Sequence, residues 1–140
     1  MRIWIALLVI AALARPGDAC QCQEFSKQLD AAQLVFTGTI TKVDKRIVQG
    51  VVCSEPRNGC GAEYTYRVRV DGIWKGKPGA VVSITEQFDD CSHQLPYKTS
   101  ERLVFVLREP GQLHGCDGTQ PAKSAALAAV TKRLGSAHKP

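Results

Sequence analysis

Apolar and polar residues alternate most regularly from Glu63 to Trp74. Tyr64, Tyr66, Val68, Val70 and Trp74 fall on one face, and Glu63, Thr65, Arg67, Arg69 and Asp71 on the other. A period of two marks a half-buried strand. Leu34 to Val43 repeats it: Leu34, Phe36, Gly38 and Ile40 alternate with Val35, Thr37, Thr39 and Thr41, and Gly38 stands where the strand can bend. Ile47 to Val52 reads as a projecting continuation of that strand. Ala80 to Thr85 forms a third strand after the turn Lys75-Gly76-Lys77-Pro78-Gly79. Leu103 to Leu107 is continuously apolar, the pattern of a strand covered on both faces, and Gln112 to Cys116 reads as a short fifth strand. Two segments change to a helical period. One has Ser26 as N-cap and Phe25, Leu29 and Ala32 on one face. The other, within Pro121 to Leu134, has Leu127, Val130 and Leu134 on one stripe and Gly135 as its stop. The expected fold is therefore mainly β: a five-stranded, OB-fold-like Greek-key barrel with one or two flanking helices, which closure relieves of open edges. A sandwich, the alternative, usually takes about seven strands.

The first residues depart from this pattern. Arg2 precedes an apolar run from Ile3 to Ala14, of the length of a signal h-region and too short to span a bilayer. Arg15 and Pro16 end it, and Gly17-Asp18-Ala19 places small residues at a cleavage site. Residues 1–19 are expected to be a signal peptide and residues 20–140 one domain, secreted, extracellular or periplasmic. The cut would make Cys20 the N-terminal residue. A cysteine there is also where lipoproteins are acylated, although Gly17 stands where such signals usually have a Leu-like residue; contact with a membrane is expected only if Cys20 is lipidated.

The chain has 140 residues, 44% hydrophobic and 22% charged, which suits one globular domain and argues against disorder. A net charge of +5, scattered along the chain, is too mild to indicate a nucleic-acid partner. Arg67 and Arg69 lie opposite the tyrosines that could stack on bases, and no nucleic-acid partner is expected. A monomer is expected.

All six cysteines, Cys20, Cys22, Cys53, Cys60, Cys91 and Cys116, follow the cut. An even number in a small exported domain implies a disulfide framework. Cys20 and Cys22, with a single residue between them, are a poor pair with each other. Cys53 and Cys60 bracket a turn-rich stretch and are expected to close a local loop, leaving Cys20 and Cys22 to reach Cys91 and Cys116 in either combination. No metal site of the chain's own is expected: Cys91-Ser92-His93 is the nearest approach to ligand spacing. There is no G-x-S-x-G, H-E-x-x-H or phosphate-binding glycine loop, and His93, His114 and His138 are scattered. The chain is not expected to be an enzyme or to carry a cofactor.

The start Cys20-Gln21-Cys22, the segments Phe36-Thr37-Gly38-Thr39-Ile40 and Val70 to Gly76, and Arg102 to Phe105 with Gly115-Cys116-Asp117-Gly118-Thr119 together resemble the netrin-like domain of tissue inhibitors of metalloproteinases (TIMPs), closest to single-domain, bacterial-type members. The resemblance implies the OB-like barrel and the pairs Cys20–Cys91 and Cys22–Cys116. Gln21 stands where these inhibitors usually have a small hydroxyl residue, and Cys53–Cys60 takes the place of their third disulfide.

A free N-terminal cysteine offers an α-amine and its own carbonyl oxygen. An α-amine ordinarily has a pKa of about 7.7–8, so part of such a group is neutral and can donate a lone pair. Catalytic zinc keeps one position for water, and an amine–carbonyl chelate would displace that nucleophile. The expected function is inhibition of a zinc metalloprotease, with Cys20 chelating the protease's zinc, Gln21 entering its pocket and Cys22 anchoring the strap. By resemblance Phe88, Asp89 and Asp90 would extend the contact ridge. The alternative is a non-inhibitory netrin-like structural or binding module, soluble or lipid-anchored at Cys20, in which the cysteines only staple the N-terminus.

Overall fold

The computed structural model describes residues 21–50, 61–88 and 95–140. The expected signal peptide over residues 1–19, Cys20, Val51, Val52, the expected pair Cys53 and Cys60, Asp89, Asp90, Cys91 and His93 lie outside the described residues.

Helix α1 (Phe25–Ala31) is followed by two long strands, β1 (Leu34–Ile47) and β2 (Ala62–Lys75). Then come β3 (Val81–Gln87), β4 (Arg102–Leu107), the two-residue strands β5 (Gln112–Leu113) and β6 (Gln120–Pro121), and helix α2 (Ser124–Leu134). The strands form one curled sheet, a half-barrel, in the order β5-β3-β2-β1-β4-β6. Along β3, β2, β1 and β4 each strand is antiparallel to its neighbour, and β4 lies beside β1, the spatial order of a Greek key. Strand β5 adds to β3 in parallel.

Among the described residues six strands stand where five were expected. The sixth was illegible because it is two residues long and ends in a proline, which cannot donate to a ladder. Strand β1 ends at Ile47 and the chain turns at Gln49 and Gly50, so the continuation expected over Ile47 to Val52 is met only at its first residue; Val51 and Val52 lie outside the described residues.

The two faces of the sheet bury different cores. The concave face holds Phe36, Ile40, Tyr64, Tyr66, Val68, Ile84, Phe88, Leu103 and Phe105. Phe36 stacks on Phe105 at 5.0 Å between ring centres. The convex face holds Val35, Val104 and Val106 under Leu29 of α1 and Ala126 and Val130 of α2. Residues Leu103 to Leu107 are all buried, as the continuous apolar run predicts. Helix α2 docks through Ala126 and Val130, with Leu127 and Leu134 at the margin, and ends at Gly135 with φ of 87°.

Two local expectations are corrected. Trp74 does not share the face of Tyr64 and Val70. Bulges place Asp71 and Trp74 as extra residues in β2, so the inward position passes from Val70 to Ile73, and Trp74 packs with the helices instead. Ser26 is not the N-cap of α1. The helix begins at Phe25 with Glu24 as its cap residue, and no side chain caps it there. Its other end is held by Lys75, whose Nζ donates to the carbonyls of Leu29 and Asp30.

Candidate functional site

The chain enters the described fold along an exposed strap, Gln21 to Glu24, before α1 begins. The strap is bonded to the body by a disulfide between Cys22 and Cys116, with 5.0 Å between their Cα atoms. This is the pairing of Cys22 that the resemblance implies. Among the described residues no cysteine is free.

Cys116 sits in a loop fixed on three sides. The Asp117 N–H donates to the His114 carbonyl, closing a turn. The Asp117 side chain is fully buried: Oδ1 accepts from Arg108 Nε at 2.7 Å and Oδ2 from the His114 N–H at 2.9 Å. From α1, Gln28 Nε2 donates to the Cys116 carbonyl at 3.0 Å. Gly118 has φ of 98°, and a Cβ there would lie 2.7 Å from Gln28 Oε1. Thr119 then locks to β4: its hydroxyl accepts the Val106 N–H at 2.9 Å, while its carbonyl accepts the Tyr97 hydroxyl at 3.2 Å. Cys116, Asp117, Gly118 and Thr119 thus form a seat for the strap, each with a different job.

A cleft of about 350 Å³ opens beside the disulfide, lined by Gln21, Gln23, Gln28, Arg108 and the two cysteines. Sequence reading missed Arg108 and Gln28. Arg108 follows directly on the apolar run of β4, and its role depends on a carboxylate nine positions later, a relation that no local pattern carries.

Phe88, assigned by resemblance to the contact ridge, turns inward. It is 2% exposed and meets Tyr64 edge to face at 5.0 Å. Its side chain anchors the segment leading to Asp89 and Asp90 and offers no surface to a partner.

Elsewhere, Tyr66 donates its hydroxyl to the buried Glu86 at 3.0 Å; burial, and then the Glu86 charge, push the phenol above its ordinary range. On the convex side Asp71 receives Arg102 on both oxygens at 2.9 Å and the Thr37 hydroxyl as well. The hydrogen bonds from Arg102, then that from Thr37, hold the Asp71 carboxyl below the usual carboxylate range. His114 faces Glu109 at 3.6 Å, and His138 bridges Ile73 through the backbone. Among the described residues no group of three or more His, Cys, Asp or Glu is placed to hold a metal ion, and no helix is long and apolar enough to cross a membrane. The chain matches no protein-family model and no curated protein.

Proposed function

We propose that the exported chain is an inhibitor of zinc metalloproteases that acts through the amine and carbonyl of Cys20. The observation carrying this reading is the Cys22–Cys116 bond onto a clamped loop. It fixes the strap two residues from the proposed chelate and so lowers the ordering cost of binding. The amine–carbonyl pair would take the zinc's water position and remove the nucleophile, with Gln21 leading into the protease's pocket. The Greek-key order and the parallel β3–β5 pair support an OB-like barrel of netrin type as the scaffold.

Tests begin with the mass and N-terminal sequence of the exported protein, where a free Cys20 is expected. An acylated amine cannot chelate, so lipid on Cys20 overturns the mechanism. With a free amine, the mature protein is assayed against a panel of metalloproteases. One alanine added before Cys20 should abolish inhibition without changing the fold; inhibition that survives the addition assigns binding to another surface. The burial of Phe88 favours a second reading, a netrin-like module that binds or scaffolds without inhibiting, because it removes one side chain from the contact ridge. Under that reading the mature protein, amine free, inhibits no member of the panel.

A further inference from the structure

The cleft beside the disulfide has the makings of a second site, independent of zinc chelation. Asp117 is fully buried, and a buried carboxylate is costly unless it is well paired. Both its oxygens are engaged, and one of them holds Arg108 by Nε alone. The Arg108 side chain remains 52% exposed, and its two terminal nitrogens have no partner among the described residues. The buried acid therefore orients a guanidinium whose outer fork is left for something else. That fork borders the cleft, whose described lining contains three glutamines and no acidic residue. Gln28 is itself held in place by the Cys116 carbonyl.

A planar fork with two unused nitrogens matches the two oxygens of a carboxylate. Glutamine amides both donate and accept, which suits the N–H and C=O of an adjoining amide. A volume of about 350 Å³ holds a group of one or two residues and not a folded surface. We infer that this cleft binds a carboxylate carried on a short amide chain, the chemistry of a peptide's C-terminal end. Arg108 takes the carboxylate, Asp117 positions Arg108, and Gln23 and Gln28 take the amide. Preorganisation by the disulfide and the buried acid keeps the donors aligned before the ligand arrives.

The test is a titration of the mature, oxidised protein followed by NMR of the Arg108 Nε–H and Gln28 side-chain signals. N-acetyl-Ala-Ala as the free acid is compared with the same compound as its terminal amide, and with acetate. The acid should give saturable shifts at both signals and bind at least about tenfold more tightly than the amide. A dipeptide acid that outbinds acetate identifies a chain end as the ligand; equal binding identifies any small carboxylate, and either supports the site. Arg108→Lys keeps a charge for Asp117 but loses the fork, and should weaken the acid at least about fivefold. Equal binding of acid and amide, or no saturable shift up to roughly 10 mM acid, overturns the inference. So does Arg108→Lys binding the acid as the unaltered protein does. None of these outcomes depends on whether any protease is inhibited.

Discussion

At Gly38 the backbone of β1 comes so close to β2 that no side chain fits. A Cβ built there would lie 2.5 Å from Val68 Cγ1 and 2.8 Å from the Arg69 carbonyl oxygen. Sequence alone marks the glycine as a place to bend, but the constraint is the neighbouring strand at the bulge beside it. Gly38→Ala should destabilise the fold by about 1–3 kcal/mol through overpacking, read as a lower urea midpoint with an unchanged slope. The Asp71 cluster on the convex face makes a different kind of prediction. Because its folded pKa lies below the unfolded value of about 3.9, its contribution is complete above that value and fades as pH falls through the lowered folded pKa. The pair is partly exposed, 48% for the Arg102 side chain and 35% for Asp71, so solvent screening limits it to less than about 1 kcal/mol. Arg102→Gln should therefore lose stability at neutral pH and flatten the acid-side slope. In urea unfolding the difference between the two proteins should shrink as pH falls below about 4; a difference that stays unchanged through the acid range would remove the linkage from Asp71.

Helix α2 shows why an element can be legible in existence and half legible in contact. Its alanines favour a helix, and the stripe Leu127, Val130, Leu134 marks the face that docks. Yet Ala126, which the apolar stripe passes over, is buried with Val130, while the two leucines stay at the margin. A small residue lets the helix approach the sheet closely, and side-chain size alone does not say which positions are nearest. Trp74 was misassigned for a related reason: period two holds only while the ladder is regular, and two bulges in β2 reset it. Ser26 has the chemistry of a cap, but the Ala32 and Lys27 backbone bonds to Gln28 and Glu24 set the helix ends without it. For α2 the expected energetics follow burial. Val130→Ala should cost about 1–3 kcal/mol, because Val130 is fully buried in one cluster with Val104, Val106 and Leu29 of α1. Arg133→Gln, which breaks the ion pair between α2 and Asp30 of α1, should cost clearly less, since both ends of that pair face solvent. Unfolding midpoints of the two variants rank them, and the reverse order would mean that the ion pair, not the packing, docks the helix.

For the molecule as a whole, the sequence pattern foretold the β-rich class, the two helices and the presence of a disulfide bond, because each depends on local period or on counting. It did not foretell the seat of the strap. That depends on Arg108, Gln28, Asp117 and Thr119, which meet only after β1 and β4 have paired and α1 has folded over them. The bond from Cys22 to Cys116 spans 94 positions and joins the strap before α1 to the loop after β5. A link that long removes much of the freedom of the unfolded chain, and losing it typically costs about 3–5 kcal/mol. The folded side is less dependent on it, since the Cys116 loop keeps its hydrogen bonds to Arg108, Gln28 and Val106 through other atoms. The double variant Cys22→Ser with Cys116→Ser should therefore unfold at a much lower urea midpoint while retaining the sheet and both helices under native conditions. Its strap, no longer tied to the loop, should show rapid amide exchange from Gln21 to Glu24, with protection of β1 and β4 still above that of the helices. If the proposed inhibition holds, the same variant should inhibit more weakly while still folded, because the strap on the Cys22 side of the chelate would no longer be fixed and only the expected Cys20–Cys91 bond would hold it. A double variant that is folded, with a mobile strap, and inhibits as well as the unaltered protein would show that the anchored strap is not what meets the protease.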